Sequence, residues 1–417
     1  MRSSYRTLLV CALGALVASP AAAQRGDSAA ASDSVDFTAL LVSRLDLSRY
    51  KETIRGLTRF GDRRQGTARN RAAVDWIEAQ LKSYGCTDTG RIAYEYTGRQ
   101  LRPPGDTSGG RRGGNAGGRG NAGAGRGAGR GRANLPVKGY RGPTGVNTDP
   151  GLQPDARLRE INAEPDEPGP REEVYCTKTG STHPAEMYII GGHMDGHGFG
   201  AAANDDGSGS AIVLELARIL NAPDVRTDRS IRFILFNNEE TGGGARAYVQ
   251  QRSPLQGIED PAGSGRYPEP KWLGMIQHDM MLFDHGMPGP DGKVGPEQRR
   301  EADVNIEFGG ASRMAGDAQK LAWFFRQAND RYATDYPAAV GDRMSNTDSG
   351  SFQDLVAAIS LRENERLAHI GTGWDPQWHQ PTDVFETYSD KDFRLGLNAA
   401  QTTLAAVSML AGATIVR

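Results

Sequence analysis

Residues 189–220 read IIGGHMDGHGFGAAANDDGSGSAIVLELARIL, and the order of residue types along this stretch decides the fold. It begins inside an apolar run, residues 187–190, with the composition of a buried strand. A Gly-rich loop follows, carrying His193, Asp195, His197, Asp205 and Asp206. Ser208 and Gly209 close the loop, and Ile212, Val213, Leu216, Ile219 and Leu220 then recur along one helical face. Strand, ligand-bearing loop and helix is how open α/β sheets build sites, because ligands collect at the carboxyl ends of strands. His with several carboxylates in one loop points to zinc, whose ligands are neutral imidazole and carboxylate oxygen. Asp-rich loops are common without a metal, so this reading depends on matching residues elsewhere in the chain.

Two later apolar runs end in the same way. Residues 230–236 (SIRFILF) lead into Asn237, Asn238, Glu239 and Glu240, and residues 272–277 lead into His278 and Asp279. Three successive strands ending in acid or imidazole are hard to obtain as solvated caps alone. Adjacent side chains such as Glu239 and Glu240 point to opposite sides of an extended backbone. One can then bind a metal while its neighbour faces the reacting water. Helical patterns at 45–60, 70–84, 312–332 and 391–410 alternate with strand patterns at 92–96, 173–177 and 356–361. Asn70 is placed to cap the second helix, and Leu321, Trp323, Phe324 and Phe325 offer the third an apolar face. This alternation predicts an α/β fold with helices on both faces of one sheet.

With 417 residues, 37% of them hydrophobic, the chain has material for a sizeable core, and a net charge of -2 favours no charged partner. Residues 1–23 have the three parts of a secretory signal: Arg2 and Arg6, an apolar run at 8–18, and small residues ending at Ala23. That run is too short to span a bilayer, and no longer one follows. The reading is cleavage near Ala23 and export, periplasmic or extracellular, with residues 24–44 a disordered leader. Residues 101–150, rich in Gly, Arg, Asn and Ala, cannot bury enough apolar surface to fold. They read as a solvated insertion in a surface loop rather than an RNA-binding tract, since no aromatic interrupts 102–133 for base stacking. No nucleic-acid partner is expected. Cys86 and Cys176 remain after signal removal, either as a disulfide or as two separate thiols.

His193-Met-Asp195, Asn204-Asp205-Asp206-Gly-Ser208-Gly209, Glu239-Glu240, Asp279-Met280 and His379-Gln-Pro-Thr-Asp383 occur in the order seen in the di-zinc aminopeptidases. The chain resembles that family, which includes bacterial leucyl aminopeptidase and aminopeptidase Y and is related to glutamate carboxypeptidase and glutaminyl cyclase. The likeness runs from about residue 45 to the C-terminus, interrupted by the Gly/Arg insertion. It implies a three-layer α/β/α domain with a mixed, mostly parallel twisted sheet, and two zinc ions bridged by Asp205. It further implies that Glu240 and His379 complete one metal position, and His193 with Asp279 the other. Asp195 would orient the ring of His193, and Glu239 would be the general base toward a metal-bound water, with peptides as substrates. An exported aminopeptidase is the leading reading. A glutaminyl-cyclase-like or carboxypeptidase-like enzyme keeps similar ligands, and a binding module on the same fold is the non-enzymatic alternative. Asp348 is a loose match to a substrate-side position. His197, His278 and His285 read as structural or solvent-exposed, and Trp374 and Trp378 as possible pocket walls.

Overall fold

The structure is a computed structural model that describes residues 35–96, 145–284, 304–333, 335–344, 347–363 and 375–416. The signal segment lies outside the described residues, as do most of the leader and of the Gly/Arg insertion, His285 and Trp374. The helices are α1 (Phe37–Val42), α2 (Leu47–Thr58), α3 (Ala68–Ser83), α4 (Ala156–Asn162), α5 (Gly207–Leu220), α6 (Gly244–Arg252), α7 (Ala315–Tyr332) and α8 (Asp390–Ala411). Strands β1 (Asp88–Tyr96), β2 (Gly169–Lys178), β3 (His183–His193), β5 (Arg229–Phe236), β6 (Lys271–His278), β7 (Val304–Phe308), β8 (Ala338–Gly341) and β9 (Ala358–Arg362) form one sheet, while β4 (Val225–Arg226) and β10 (Thr414–Ile415) pair separately.

The sheet order is β1-β2-β5-β3-β6-β9-β7-β8. Its centre, β5-β3-β6-β9, is parallel throughout, and antiparallel pairs flank it on both sides. His193 lies opposite Phe236, Gly191 opposite Gln277, and His278 opposite Leu361. The carboxyl ends of four neighbouring strands therefore meet along one edge, and this register gathers the site.

Burial alternates along the central strands as the pleat requires. Ile231, Phe233 and Leu235 belong to the larger core, with the apolar faces of α2, α3, α5, α7 and α8. Ile234 and Phe236 point the other way, into a smaller core with Tyr248 of α6, Trp272 and Phe352. The three layers are thus present, the second thinner than the first. Helix α5 is apolar nearly all round because it is covered by the sheet on one side and by α2 and α8 on the other. Among the described residues no helix is long and apolar enough to cross a membrane.

Several expectations need correction. Helix α1 starts at Phe37, so the leader cannot run to residue 44. Asn147, within the expected insertion, is held by hydrogen bonds to the His379 and Gly198 carbonyls. Thr67, not Asn70, caps α3: its side chain accepts from the Asn70 amide, which frees the Asn70 side chain to reach Asn237. Trp323 is 48% exposed because Leu321, Ala322 and Phe325 fill the buried face of α7. Of the two alternatives left open for Cys86 and Cys176, the disulfide is present, with Cα atoms 6.1 Å apart, tying the turn after α3 to β2.

Candidate metal centre

His193 ends β3, and its position is set by the residues that follow it. Asp206 caps α5 by accepting from the Gly209 amide at 2.8 Å, and the same carboxylate accepts from the His193 amide at 3.0 Å. Strand end and helix start are locked together through one side chain. Gly209 is obligatory there, since a Cβ would stand 2.5 Å from Asp206 Oδ1 and 2.6 Å from the His278 carbonyl. Arg63, fully buried, donates to the carbonyls of Met194 (2.7 Å), Ala201 (2.8 Å) and Ala202 (2.8 Å), and so pins the loop between His193 and Asp205. The amides of Asn204 and Asp205 donate to Asp383, at 2.8 and 3.2 Å. Asp383 belongs to the loop that carries His379, so that loop and Asp205 are positioned together.

Two groups of ligand atoms result, and Asp205 faces both. Its Oδ1 lies 3.3 Å from His193 Nε2, which is 3.8 Å from Asp279 Oδ1. Its Oδ2 lies 2.9 Å from His379 Nε2, which is 2.9 Å from Glu240 Oε2. All five residues expected as metal ligands are therefore brought together. His197, expected to be structural or exposed, joins them: its Nε2 is 3.0 Å from Glu240 Oε2. Among the described residues, the groups with metal-ligand spacing are His193, Asp205 and Asp279 on one side, and His197, Glu240 and His379 on the other.

Asp195 acts through two different groups. Its backbone carbonyl accepts from His193 Nδ1 at 3.0 Å, leaving Nε2 to face Asp205, whereas its carboxylate is 3.9 Å from that ring nitrogen. The carboxylate instead accepts from the amides of Glu239 (3.0 Å) and Glu240 (3.4 Å). The expected orientation of His193 thus comes from the Asp195 backbone, and its side chain holds the Glu239–Glu240 turn. Asn238, Met280 and His379 adopt positive φ of 66°, 60° and 57°. Such backbone costs energy and is held by its surroundings, which places the strain at the ligand loops.

The fourth strand contributes what sequence patterns did not signal. Arg362, at the end of β9, is buried and donates to Asp279. Glu363 follows and accepts from the amides of Leu282 and Phe283 and from Asn204 Nδ2. The only available signal was their position: an Arg-Glu pair directly after an apolar run. His278 is buried, with Nε2 2.8 Å from Thr403 Oγ1, and burial pushes its pKa down to about 4. It is a structural imidazole facing away from the ligand groups. Asp348 is buried beside Gln277, which donates to it at 3.0 Å, and burial pushes its pKa up to about 8. Trp378 stacks on His379 at 4.0 Å between ring centroids, supporting the ligand's ring.

The electrostatics call for cations. Burial alone would lower the pKa of His193 and of His379, yet the surrounding carboxylates outweigh it, raising His193 well above its ordinary value and His379 to about 10. Burial likewise opposes ionisation of Asp205 and Glu240, and the neighbouring imidazoles override it, holding both below the usual carboxylate range. Glu239 behaves differently: burial, then the charges of Asp348, Glu240 and Asp279, hold its pKa well above the ordinary value. Glu240 Oε1 is buried with no hydrogen-bond partner. Imidazoles and carboxylates, one of them carrying an orphaned oxygen, are a donor set that fits zinc.

Comparison with known proteins identifies the family of this fold. The profile of peptidase family M28 matches residues 173–402, more than half of the chain. A probable lipoprotein aminopeptidase of Mycobacterium tuberculosis, LpqL, is 27% identical over 274 residues, 63% of this chain and 48% of its own. The aminopeptidase YwaD of Bacillus subtilis is 43% identical over 72 residues, 17% of this chain and 15% of its own. The matched region thus spans about half the length of the first relative and far less of the second. A zinc aminopeptidase from Bacillus subtilis has a similar fold, with a TM-score of 0.55 at 15% identity over 88% of this chain and 95% of its own.

Proposed function

Because the chain belongs to peptidase family M28, we propose that it is an exported, zinc-dependent aminopeptidase that removes residues from the N-terminus of peptides. The observation that carries this reading is the pair of ligand groups flanking Asp205, with Glu239 adjoining Glu240. His193 and Asp279 would hold one zinc ion, Glu240 and His379 a second, and Asp205 would bridge them. Bound there, the ions would acidify a water and polarise the scissile carbonyl.

The chain's own residues supply the proton transfers and the positioning. Glu239 takes a proton as the water oxygen bonds to the carbonyl carbon, and returns it to the nitrogen when the C–N bond breaks. Asp195 keeps the Glu239 backbone in place through the amide it accepts, and keeps His193 oriented through its carbonyl. Arg362 offsets the charge of Asp279 from the side away from His193. Two features support export: the composition of residues 1–23 and the Cys86–Cys176 disulfide.

The test compares matched peptides with free and acetylated N-termini, using zinc-loaded and chelator-treated protein. Chelator-sensitive cleavage of the free peptides alone is the expected result. Cleavage from the C-terminus of both peptides would move the assignment to a carboxypeptidase, and ammonia release from an N-terminal Gln peptide to a cyclase. Two bound zinc ions with none of these activities would leave a binding role.

A further inference from the structure

We infer that His197 is a fourth protein ligand at the Glu240–His379 metal position, so that this position is closed by protein donors and the open coordination lies at the His193–Asp279 position. The inference rests on the dinuclear reading above and goes beyond its five ligands. It starts from distances. His197 Nε2 is 3.0 Å from Glu240 Oε2 and 3.2 Å from His379 Nε2. His379 Nε2 is 2.9 Å from both Glu240 Oε2 and Asp205 Oδ2. Ligands about 2.0–2.1 Å from a tetrahedral zinc ion stand roughly 3.3 Å from one another. Each of these four separations is thus already close to the edge length that one such ion imposes.

The two rings are in direct contact. The imidazoles of His197 and His379 meet edge to face, 87° apart with centroids at 4.1 Å, and His197 Nε2 lies 3.1 Å from His379 Nδ1 and 3.2 Å from its Nε2. The backbone keeps His197 there. Gly198 has φ +100°, and a Cβ on it would stand 2.3 Å from the His379 carbonyl. Asn147 then ties the two loops together, its amide donating to the His379 carbonyl at 3.0 Å and its side chain to the Gly198 carbonyl at 3.3 Å.

Two His and two carboxylates fill a tetrahedral shell, as in closed zinc sites, whereas reactive sites keep a position free. Here the free position falls to the ion held by His193, Asp205 and Asp279, and the incoming peptide would engage that side first.

The experiment titrates the full chain, stripped of metal, with Co2+ and follows both chelator competition and visible absorbance. Wild type should take up two equivalents. In His197→Ala, one equivalent should keep its affinity and the other should weaken at least about 100-fold, beyond the loss expected for a residue that only orients a ligand. The intense absorbance of four-coordinate Co2+ should drop with it. His197→Glu, with an oxygen donor of similar reach, should restore most of the affinity, and His197→Gln should not. Two equivalents in His197→Ala with wild-type affinity and an unchanged spectrum would overturn the assignment. If His197→Ala loses both equivalents by misfolding, equal binding by the Glu and Gln variants would overturn it. Failure of the wild type to bind two ions would instead bring down the dinuclear reading itself.

Discussion

Removing the Cys86–Cys176 disulfide should cost this protein roughly 4–5 kcal/mol of stability. The bridge joins residues 90 apart in sequence, and cross-linking a loop of that size removes about 15 cal/mol/K from the unfolded chain. At 25 °C that entropy amounts to roughly 4.6 kcal/mol. The native state should change little when the bridge is lost. Cys176 lies in the core on β2, a strand paired on both sides by β1 and β5. Cys86 follows α3, whose face of Ala73, Val74, Ile77 and Leu81 remains packed. The double variant Cys86→Ala/Cys176→Ala, unfolded in urea beside the oxidised wild type, should show the whole loss as a lower midpoint. Wild type kept in dithiothreitol should behave like the variant. A loss below about 1 kcal/mol would refute the reasoning, because it would mean that the unfolded chain gains no freedom from the open loop.

Four other outcomes follow from the site. Glu239→Gln should lower turnover roughly 10²–10⁴-fold while metal content stays at the wild-type level, checked by steady-state kinetics beside elemental analysis. Asp205→Ala should lose metal from both positions, since its two oxygens face both groups; retention of two ions would refute bridging. Arg63→Met leaves the buried carbonyls of Met194 and Ala201 without their donor, a cost of roughly 2–6 kcal/mol in urea unfolding, and should weaken metal binding as the loop before Asp205 loosens. His278, held at about pKa 4 by burial, stays neutral in the fold while the unfolded chain takes up a proton below about pH 6.5. Stability is therefore lost as pH falls. Relative to His278→Asn, the wild type should lose about 2 kcal/mol between pH 7 and pH 5, measured from urea midpoints.

Much of the site was legible because its signals are local. Each of His193, Glu240 and Asp279 sits at or within a few residues of the end of an apolar strand, and short-range alternation marks such strands without reference to the rest of the chain. Trp323 was misjudged for a related reason: α7 carries more large apolar residues than its buried face can hold, and only packing chooses among them. The capping of α3 went to Thr67 because Asn70 finds better partners in Asn237 and the Arg63 carbonyl, two segments far apart in sequence.

By itself the sequence determined the α/β alternation, the strand-loop-helix unit at residues 189–220 and five residues that are brought together as expected. These follow from periodicities of two and 3.6 residues and from residue chemistry, which act over a few positions. Only the tertiary structure decided that His197 turns toward Glu240 and His379, and that Arg362 rather than a nearby residue meets Asp279. It likewise decided that Arg63 holds the ligand loop from more than a hundred residues away, and that Cys86 reaches Cys176. Each of these depends on the order β5-β3-β6-β9 and on how the loops beyond its edge fold back. Strand order and loop closure are set by burial summed over the whole chain, so no single stretch of sequence carries them.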